Sequence, residues 1–199
     1  SEKATNYNNL GTIYDIRSNY DQALECYTKS LNIEKKLPKL NYVNIAECYN
    51  NIGLVYKSKG DYAEALKFYL KSLSIKEKLF GTTWHTSIAI SYNNIANINV
   101  ELGNYDQALI QYTQVLNIYE ELLGKEHFAT ATCYNNIGVM YEKKGELINA
   151  LKYYCKALSI RKSSLGVNHP DIAQSYNNIA GIYETKKAYK QALKYYLRD

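Results

Sequence analysis

Apolar and small residues recur along the chain in two alternating patterns, both with helical spacing. The spacing is clearest in residues 49–69, where these residues are Tyr49, Ile52, Gly53, Tyr56, Ala65 and Tyr69. Intervals of three and four residues place side chains on one face of an α-helix. A turn containing Gly60 separates the two patterns, so the segment is predicted to form two amphipathic helices that approach most closely at Gly53 and Ala65.

The same pair of patterns occurs five times in the 199 residues. The first pattern is Tyr-Asn-Asn-(Leu/Ile)-(Gly/Ala), which repeats every 42 or 43 residues from starts at Tyr7, Tyr49, Tyr92, Tyr134 and Tyr176. The second pattern keeps this period, at 20–24, 62–66, 105–109, 147–151 and 189–193. Such a period indicates a solenoid, in which each unit buries its apolar face against its neighbours.

We therefore predict an all-α fold, a right-handed α-solenoid of five helix-turn-helix repeats without β-sheet. The chain is expected to form a single domain, with repeats at about 4–43, 44–85, 86–127, 128–169 and 170–199. First helices are predicted at 4–17, 44–58, 86–101, 128–143 and 170–185, and second helices at 20–37, 61–79, 104–122, 146–164 and 188–198. Single glycines at Gly60, Gly103 and Gly145 are expected to end first helices in a left-handed conformation.

The last second helix is shorter than the others, so the fifth repeat is expected to be truncated. Solenoids normally end in a polar capping element, and we expect Tyr183, Leu193 and Tyr196 to border an incompletely covered surface. Such a surface would indicate either a longer natural array or end-to-end self-association.

The repeat resembles the tetratricopeptide repeat, whose W-x2-L-G-x2-Y…A-x3-F signature is met with tyrosine in the Trp and Phe positions. The units are about eight residues longer than the generic 34-residue repeat. In the fourth unit the extension continues into Leu-Gly-x-x-His-Pro-Asp-x-Ala at 165–173, which looks like the kinesin light chain subtype. This resemblance implies a non-catalytic scaffold whose first helices line a concave groove.

The net charge of +5 and the 22 tyrosines raise the possibility of nucleic-acid binding. Most tyrosines, however, occupy repeated positions, and the exceptions are Tyr42, Tyr119, Tyr153 and Tyr195. The lysines lie mainly on the second helices, which form the convex side in this family, as in the group Lys67, Lys71, Lys76 and Lys78. Dispersed charge of this kind supports weak, salt-sensitive attraction, and we expect no nucleic-acid partner.

Other classes of protein are also disfavoured. No apolar segment approaches the about 18 residues of a membrane-spanning helix, and residues 1–4 lack a signal-peptide core. The four cysteines, Cys26, Cys48, Cys133 and Cys155, form no C-x-x-C pair. We expect a cytoplasmic protein without disulfides, cofactors or membrane insertion.

Three histidines, His85, His127 and His169, occupy matching positions before first helices. Residues one repeat apart are separated by whole helix layers, about 8–10 Å each, whereas zinc ligands lie about 2 Å from one ion. We therefore predict that these histidines are cap or loop residues and bind no metal. No motif places a nucleophile beside a base, so the chain is predicted not to be an enzyme.

The asparagine pairs are the best candidates for a binding site. The second member of each pair lies about 200° from the preceding tyrosine on the helix, so it is expected to face the groove. An amide both donates and accepts hydrogen bonds, as gripping an extended peptide backbone requires. The candidate groove residues are Asn9, Asn51, Asn94, Asn136, Asn178, Asn50, Asn93, Asn135, Leu54, Lys57, Asn97, Val139 and Lys143.

Two roles for these asparagines are open, and they are compatible. In one, the asparagines bind a protein or peptide segment; in the other, they are framework residues that join neighbouring helices. Some tetratricopeptide domains hold a carboxylate with lysines and an arginine, but the predicted inner face supplies only Lys143 and, at its flank, Lys57. The alternative function is an architectural spacer or self-association module without a specific groove ligand.

Overall fold

The computed structural model describes residues 1–81, 85–166 and 168–198. Within these residues it contains ten α-helices and no β-strand. The first helices of the repeats are α1 (Glu2–Ile16), α3 (Tyr42–Ser58), α5 (Thr86–Glu101), α7 (Phe128–Lys143) and α9 (Pro170–Thr185). The second helices are α2 (Tyr20–Lys36), α4 (Tyr62–Phe80), α6 (Tyr105–Leu123), α8 (Leu147–Ser164) and α10 (Tyr189–Tyr196). The predicted all-α class and helix pairs are confirmed, with every helix end within two residues of its predicted position.

The helices belong to two compact units, 1–103 with α1–α5 and 104–199 with α6–α10. In unit 1, α1 packs on α2 and α3 on α4, while α2 and α4 also pack on the next first helix. In unit 2, α7 pairs with α8 and α9 with α10, and α6 and α8 pack on the following first helix. None of the helices in the described ranges is long and apolar enough to cross a membrane.

Local signals fix where first helices end. Gly60, Gly103 and Gly145 have φ of 78°, 75° and 77°, the left-handed conformation predicted for them. Ser18 and Lys187 hold the equivalent positions after α1 and α9 with φ of 58°. Residues with a Cβ are disfavoured in this conformation. Ser18 and Lys187 adopt it nevertheless, so the turn geometry is the same where glycine is missing.

The two helices of a pair are closest where a tyrosine ring lies over a glycine. A Cβ atom added at Gly138 of α7 would lie 2.7 Å from the ring of Tyr154 of α8, which is 1% exposed. The Tyr154 hydroxyl donates to the Glu142 carboxylate at 2.5 Å, which fixes the ring. The same close approach joins Gly11 to Tyr27 and Gly53 to Tyr69. The small residue of the repeat therefore sets the distance between the helices.

Aromatic stacking joins the outer part of three helix pairs. The stacked rings, with centroids 5.4–5.6 Å apart, are Tyr56 with Phe68, Tyr141 with Tyr153, and Tyr183 with Tyr195. Tyr153 and Tyr195 were not assigned to the framework from the sequence, yet both pack as framework residues, equivalent to Phe68. Of the residues predicted to border an uncovered surface, Leu193 and Tyr196 are exposed, whereas Tyr183 is half-buried.

We predict that Gly138→Ala destabilises the protein by about 1–3 kcal/mol, the usual cost of overpacking a core. The new methyl group must displace the fixed Tyr154 ring. Urea unfolding followed by circular dichroism measures the change in the free energy of unfolding.

Gly181→Ala is the matched control, because Gly181 is also helical but has no atom within 4 Å of the added Cβ. Alanine there should stabilise the protein by up to about 1 kcal/mol through helix propensity. Equal effects of the two substitutions would contradict the role given to the Gly138–Tyr154 contact.

Buried tyrosines predict a loss of stability at alkaline pH. Burial raises the pKa of Tyr69 and Tyr112 to about 12, and burial with the Glu77 carboxylate raises the pKa of Tyr92 to about 12. The neutral phenol is favoured in the folded state, so this stabilisation is fully present below the ordinary pKa of about 10 and falls as the pH rises towards 12. Urea unfolding at increasing pH, with tyrosinate absorbance recorded in parallel, measures the slope.

Tyr69→Phe tests the cause, because the buried Tyr69 hydroxyl has no hydrogen-bond partner within the described structure. This variant should keep its stability at neutral pH and show a shallower alkaline decline. An unfolding free energy that is constant between pH 10 and 12 in the unmodified protein would show the prediction to be wrong.

Candidate functional site

Asparagines of successive first helices in unit 1 are joined by hydrogen bonds. The Asn51 amide nitrogen donates to the Asn8 oxygen at 3.1 Å, and the Asn94 amide donates to Asn50, also at 3.1 Å. Within the pair of the second repeat, Asn50 donates to the Asn51 oxygen at 3.4 Å. The second asparagine of one repeat therefore bonds to the first asparagine of the repeat before it.

Unit 2 contains the same bond between its last two repeats. Asn178 of α9 donates to the oxygen of Asn135 of α7 at 2.8 Å, and Asn135 is 6% exposed. Asn135 is thus a buried framework residue and does not lie on the open surface predicted for it. These bonds establish the framework role of the asparagines, while the peptide-binding role stays a prediction.

The remaining candidates differ in exposure. Asn9, Leu54 and Lys143 are exposed. The half-buried candidates are Asn50, Asn51, Lys57, Asn93, Asn94, Asn97, Asn136, Val139 and Asn178. Val139 packs against the core of unit 2, so part of its side chain serves the framework. The candidates up to Asn97 lie in unit 1, and the candidates from Asn135 onward lie in unit 2.

Two neighbouring cavities lie along the first helices of unit 1, and we call this surface the unit-1 face. The first cavity, about 210 Å³, lies among α1, α2 and α3 and includes Asn8, Asn9, Glu34, Asn44 and Glu47 in its lining. The second, about 360 Å³, lies among α3, α4 and α5 and includes Val43, Glu47, Asn50, Lys76, Phe80 and Ile90. Glu47 lines both, so the cavities are adjacent along the surface where peptide binding was predicted.

A buried charged residue occupies the same position of the second helix in three repeats. In the second repeat it is Lys76, which is 8% exposed and donates to the Ser87 carbonyl at 3.3 Å and the Ser91 hydroxyl at 2.9 Å. Burial lowers the pKa of Lys76. Lys76 lies on a second helix, as predicted, but it is buried and not part of a convex charged surface, because its ammonium group bonds to the next repeat.

The equivalent residues of the fourth and first repeats are Arg161 and Glu34. Arg161 donates to the Asp171 carbonyl and the Ser175 hydroxyl, at 2.8 and 2.7 Å. One Glu34 oxygen accepts from Asn44 at 3.3 Å and from the Ser1 amino group at 2.7 Å. Sequence analysis missed Glu34, although an acid that continues an apolar helical stripe was a signal that could have found it.

The three histidines cap the helices that they precede, as predicted. His85, His127 and His169 each accept a hydrogen bond at Nδ1 from the backbone nitrogen two residues ahead, at 3.2 Å in every case. Over the part of the chain that the structure describes, no three His, Cys, Asp or Glu side chains group closely enough to hold a metal ion. The four cysteines are free, with Cys155 exposed and the others buried.

Comparison with protein families identifies the repeat. The tetratricopeptide repeat model matches residues 2–78, 87–163 and 134–198, which together span nearly the whole chain. No curated protein sequence is significantly similar to this chain.

Solved structures share the fold at low sequence identity. BtubC (BKLC) from P. vanneervenii has a TM-score of 0.85 and 23% identity, covering 95% of this chain and 75% of that one. Kinesin light chain-like repeats from Podosopora anserina have a TM-score of 0.83 and 18% identity, covering 98% of this chain and 92% of that one. RapI in its apo form has a TM-score of 0.81 and 19% identity, covering 97% of this chain and 51% of that one. The resemblance to kinesin light chain-like repeats is thus confirmed for the fold.

We predict that His169→Ala lowers the free energy of unfolding by about 1 kcal/mol, the usual cost of losing an N-cap. His169 is exposed, so truncation removes little packing. His169→Asn should retain most of the stability, because asparagine is itself a strong N-cap residue. Urea unfolding of the three proteins, with and without a metal chelator, measures both effects. Chelator-dependent unfolding of the unmodified protein that disappears in His169→Ala would indicate a metal ligand instead.

Proposed function

The chain belongs to the tetratricopeptide repeat family, whose members serve as protein–protein interaction scaffolds, and we propose that it binds an extended peptide segment of a partner protein. The unit-1 face is the principal proposed surface. The proposed role is non-catalytic, and the free, mostly buried thiols fit the reducing cytoplasm expected from the sequence.

The observation that carries this proposal is the pair of adjacent cavities beside the asparagines of α1 and α3. A peptide backbone needs donors and acceptors at short intervals, and pockets beside them take alternate side chains. The cavities share Glu47, and Asn8, Asn9 and Asn50 lie in their walls. The unit-1 face therefore combines polar groups with room for side chains.

The framework bonds leave the asparagines able to bind a ligand. A side-chain amide has two N–H donors and an oxygen with two lone pairs. Asn51 uses one donor on Asn8 and one lone pair on Asn50, so it keeps one of each. Asn9 carries an exposed amide at the edge of the first cavity. The framework bonds hold Asn51 in place, which lowers the entropy lost when a peptide binds.

We assign a second, similar face to unit 2, formed by Asn136, Asn178, Val139 and Lys143. The Asn178–Asn135 bond orients Asn178 as Asn51 is oriented in unit 1. Lys143 is exposed on this face and gives it a positive charge. Each face is proposed as a binding surface in its own right.

Self-association is the second candidate function. Four apolar or aromatic residues of the α10 region are exposed: Tyr189, Leu193, Tyr196 and Leu197. Exposed apolar patches mark interaction surfaces. An identical copy of the chain could cover this patch without any ligand on the unit-1 face.

The proposal predicts that a displayed library of linear random peptides yields binders to the unmodified protein. Alanine at Asn9, Asn51 and Asn94 together should weaken the selected peptides by at least about tenfold, because backbone hydrogen bonds are lost. Fluorescence anisotropy with labelled peptides measures the Kd, and circular dichroism verifies that the helices remain.

The matched control is Asn32→Ala with Asn117→Ala, which removes exposed asparagines from the second helices α2 and α6. This control should leave the Kd unchanged. Equal binding to the triple variant, with its helices intact, would favour a framework role alone. Failure to select any peptide, together with a concentration-dependent mass in sedimentation, would favour self-association.

A further inference from the structure

The first cavity of the unit-1 face is lined by two carboxylates. Glu34 lies at its base and Glu47 on its wall, and the other polar groups are hydroxyls, amides and the Cys48 thiol. Among the described residues that line it, none is lysine, arginine or histidine. Both carboxylates line this cavity together with the Cys48 thiol, whose pKa is raised by burial.

Glu34 has an unused hydrogen-bonding position inside the protein. The residue is 1% exposed, and its Oε2 atom has no hydrogen-bond partner. A buried carboxylate oxygen without a partner is costly, because the protein does not replace the hydrogen bonds of water. Asn44 donates to the other oxygen, Oε1, and the Ser1 ammonium group forms an ion pair with that same oxygen at 2.7 Å.

The equivalent residue of the next repeat shows how unusual this arrangement is. The Lys76 ammonium donates to Ser87 and Ser91 of the following first helix, so the fold itself supplies its partners. In the first repeat a negatively charged residue, Glu34, replaces the positively charged one. The fold supplies donors to only one of its two carboxylate oxygens. A cation that enters the cavity would meet Glu34 at its base and Glu47 at its wall.

We propose that this cavity is a socket for one lysine or arginine side chain of the bound peptide. A long side chain of this kind can reach a recessed carboxylate while its backbone stays on the unit-1 face, and its N–H groups can fill the free acceptor. This inference rests on the proposed peptide-binding function, and it names the charge of the ligand.

The neighbouring cavity extends the specificity. Its lining includes Val43, Phe80 and Ile90, which suit an apolar side chain. The two cavities lie on either side of α3, so their separation is about one helix spacing, roughly 8–10 Å. An extended peptide advances about 3.3 Å per residue and alternates the direction of its side chains, so the basic and apolar residues should be about two or four positions apart.

Peptide selection on the unmodified protein tests the socket. The displayed random library should yield peptides with lysine or arginine at one fixed position and an apolar residue about two or four positions away. Selection on Glu34→Gln should still yield peptides, without the basic residue. If no peptide is selected on either protein, the proposed function fails; if peptides are selected with no basic preference, only the socket is wrong.

A double-mutant cycle measures the contact directly. Replacing the basic residue of a selected peptide by uncharged norleucine should weaken binding to the unmodified protein by about tenfold or more, and binding to Glu34→Gln by less than about twofold. Glu25→Gln is the matched control, since Glu25 is an exposed glutamate on the same helix, paired with Lys29 at 2.6 Å. With this control the norleucine peptide should lose as much affinity as with the unmodified protein. An equal loss with Glu34→Gln would overturn the proposal.

Glu47→Gln provides a second variant if Glu34→Gln does not fold, because Glu47 is exposed and its substitution should leave the core intact. In Glu47→Gln the norleucine peptide should lose less affinity than with the unmodified protein. An undiminished loss would contradict the proposed socket. Calcium or magnesium chloride should displace the peptide no better than sodium chloride of equal ionic strength. Specific displacement by either divalent ion would identify a metal site and would overturn the proposal.

Discussion

Contact between a tyrosine ring and a glycine is the constraint on which three helix pairs depend: α1 with α2, α3 with α4, and α7 with α8. Tyr69 and Tyr154 are almost completely buried, and each lies where the Cβ of its partner, Gly53 or Gly138, would otherwise be. A ring in this position fills the space between the two helices, and the missing Cβ lets their backbones approach closely. The aromatic stacks nearby then form at a distance that this contact has already set.

Polar side chains complete the packing between repeats, and they differ from one interface to the next. Glu34, Lys76 and Arg161 occupy one equivalent position, and each is bonded to the first helix of the following repeat. Because an acid needs donors and a base needs acceptors, these residues match particular neighbours. A repeat protein with similar apolar faces thereby gains polar contacts that differ from one interface to the next.

The same polar contacts connect the framework to the proposed function. The asparagine bonds that join the first helices also hold Asn51 and Asn94 in fixed orientations. The reversed charge at Glu34 leaves an unused acceptor in the first cavity, which Asn8 and Asn9 also line. A framework that leaves part of its hydrogen-bonding capacity unused can act as a binding surface. A bound peptide would then bond to the asparagine amides and to the free Glu34 oxygen.

The sequence by itself determined the helix pairs, their boundaries and the repeat family. Those features depend on short-range patterns: the spacing of Tyr49, Ile52 and Gly53 along one helix, the left-handed turn at Gly60, and the N-cap position of His169. The tertiary structure decided which side chains meet across repeats. Asn51 bonds to Asn8, 43 residues away, and no local pattern distinguishes a bonded amide from an open one. Charge and helical position alone put Lys76 on the surface and gave no role to Glu34, because the burial of each depends on the neighbouring repeat that packs over it.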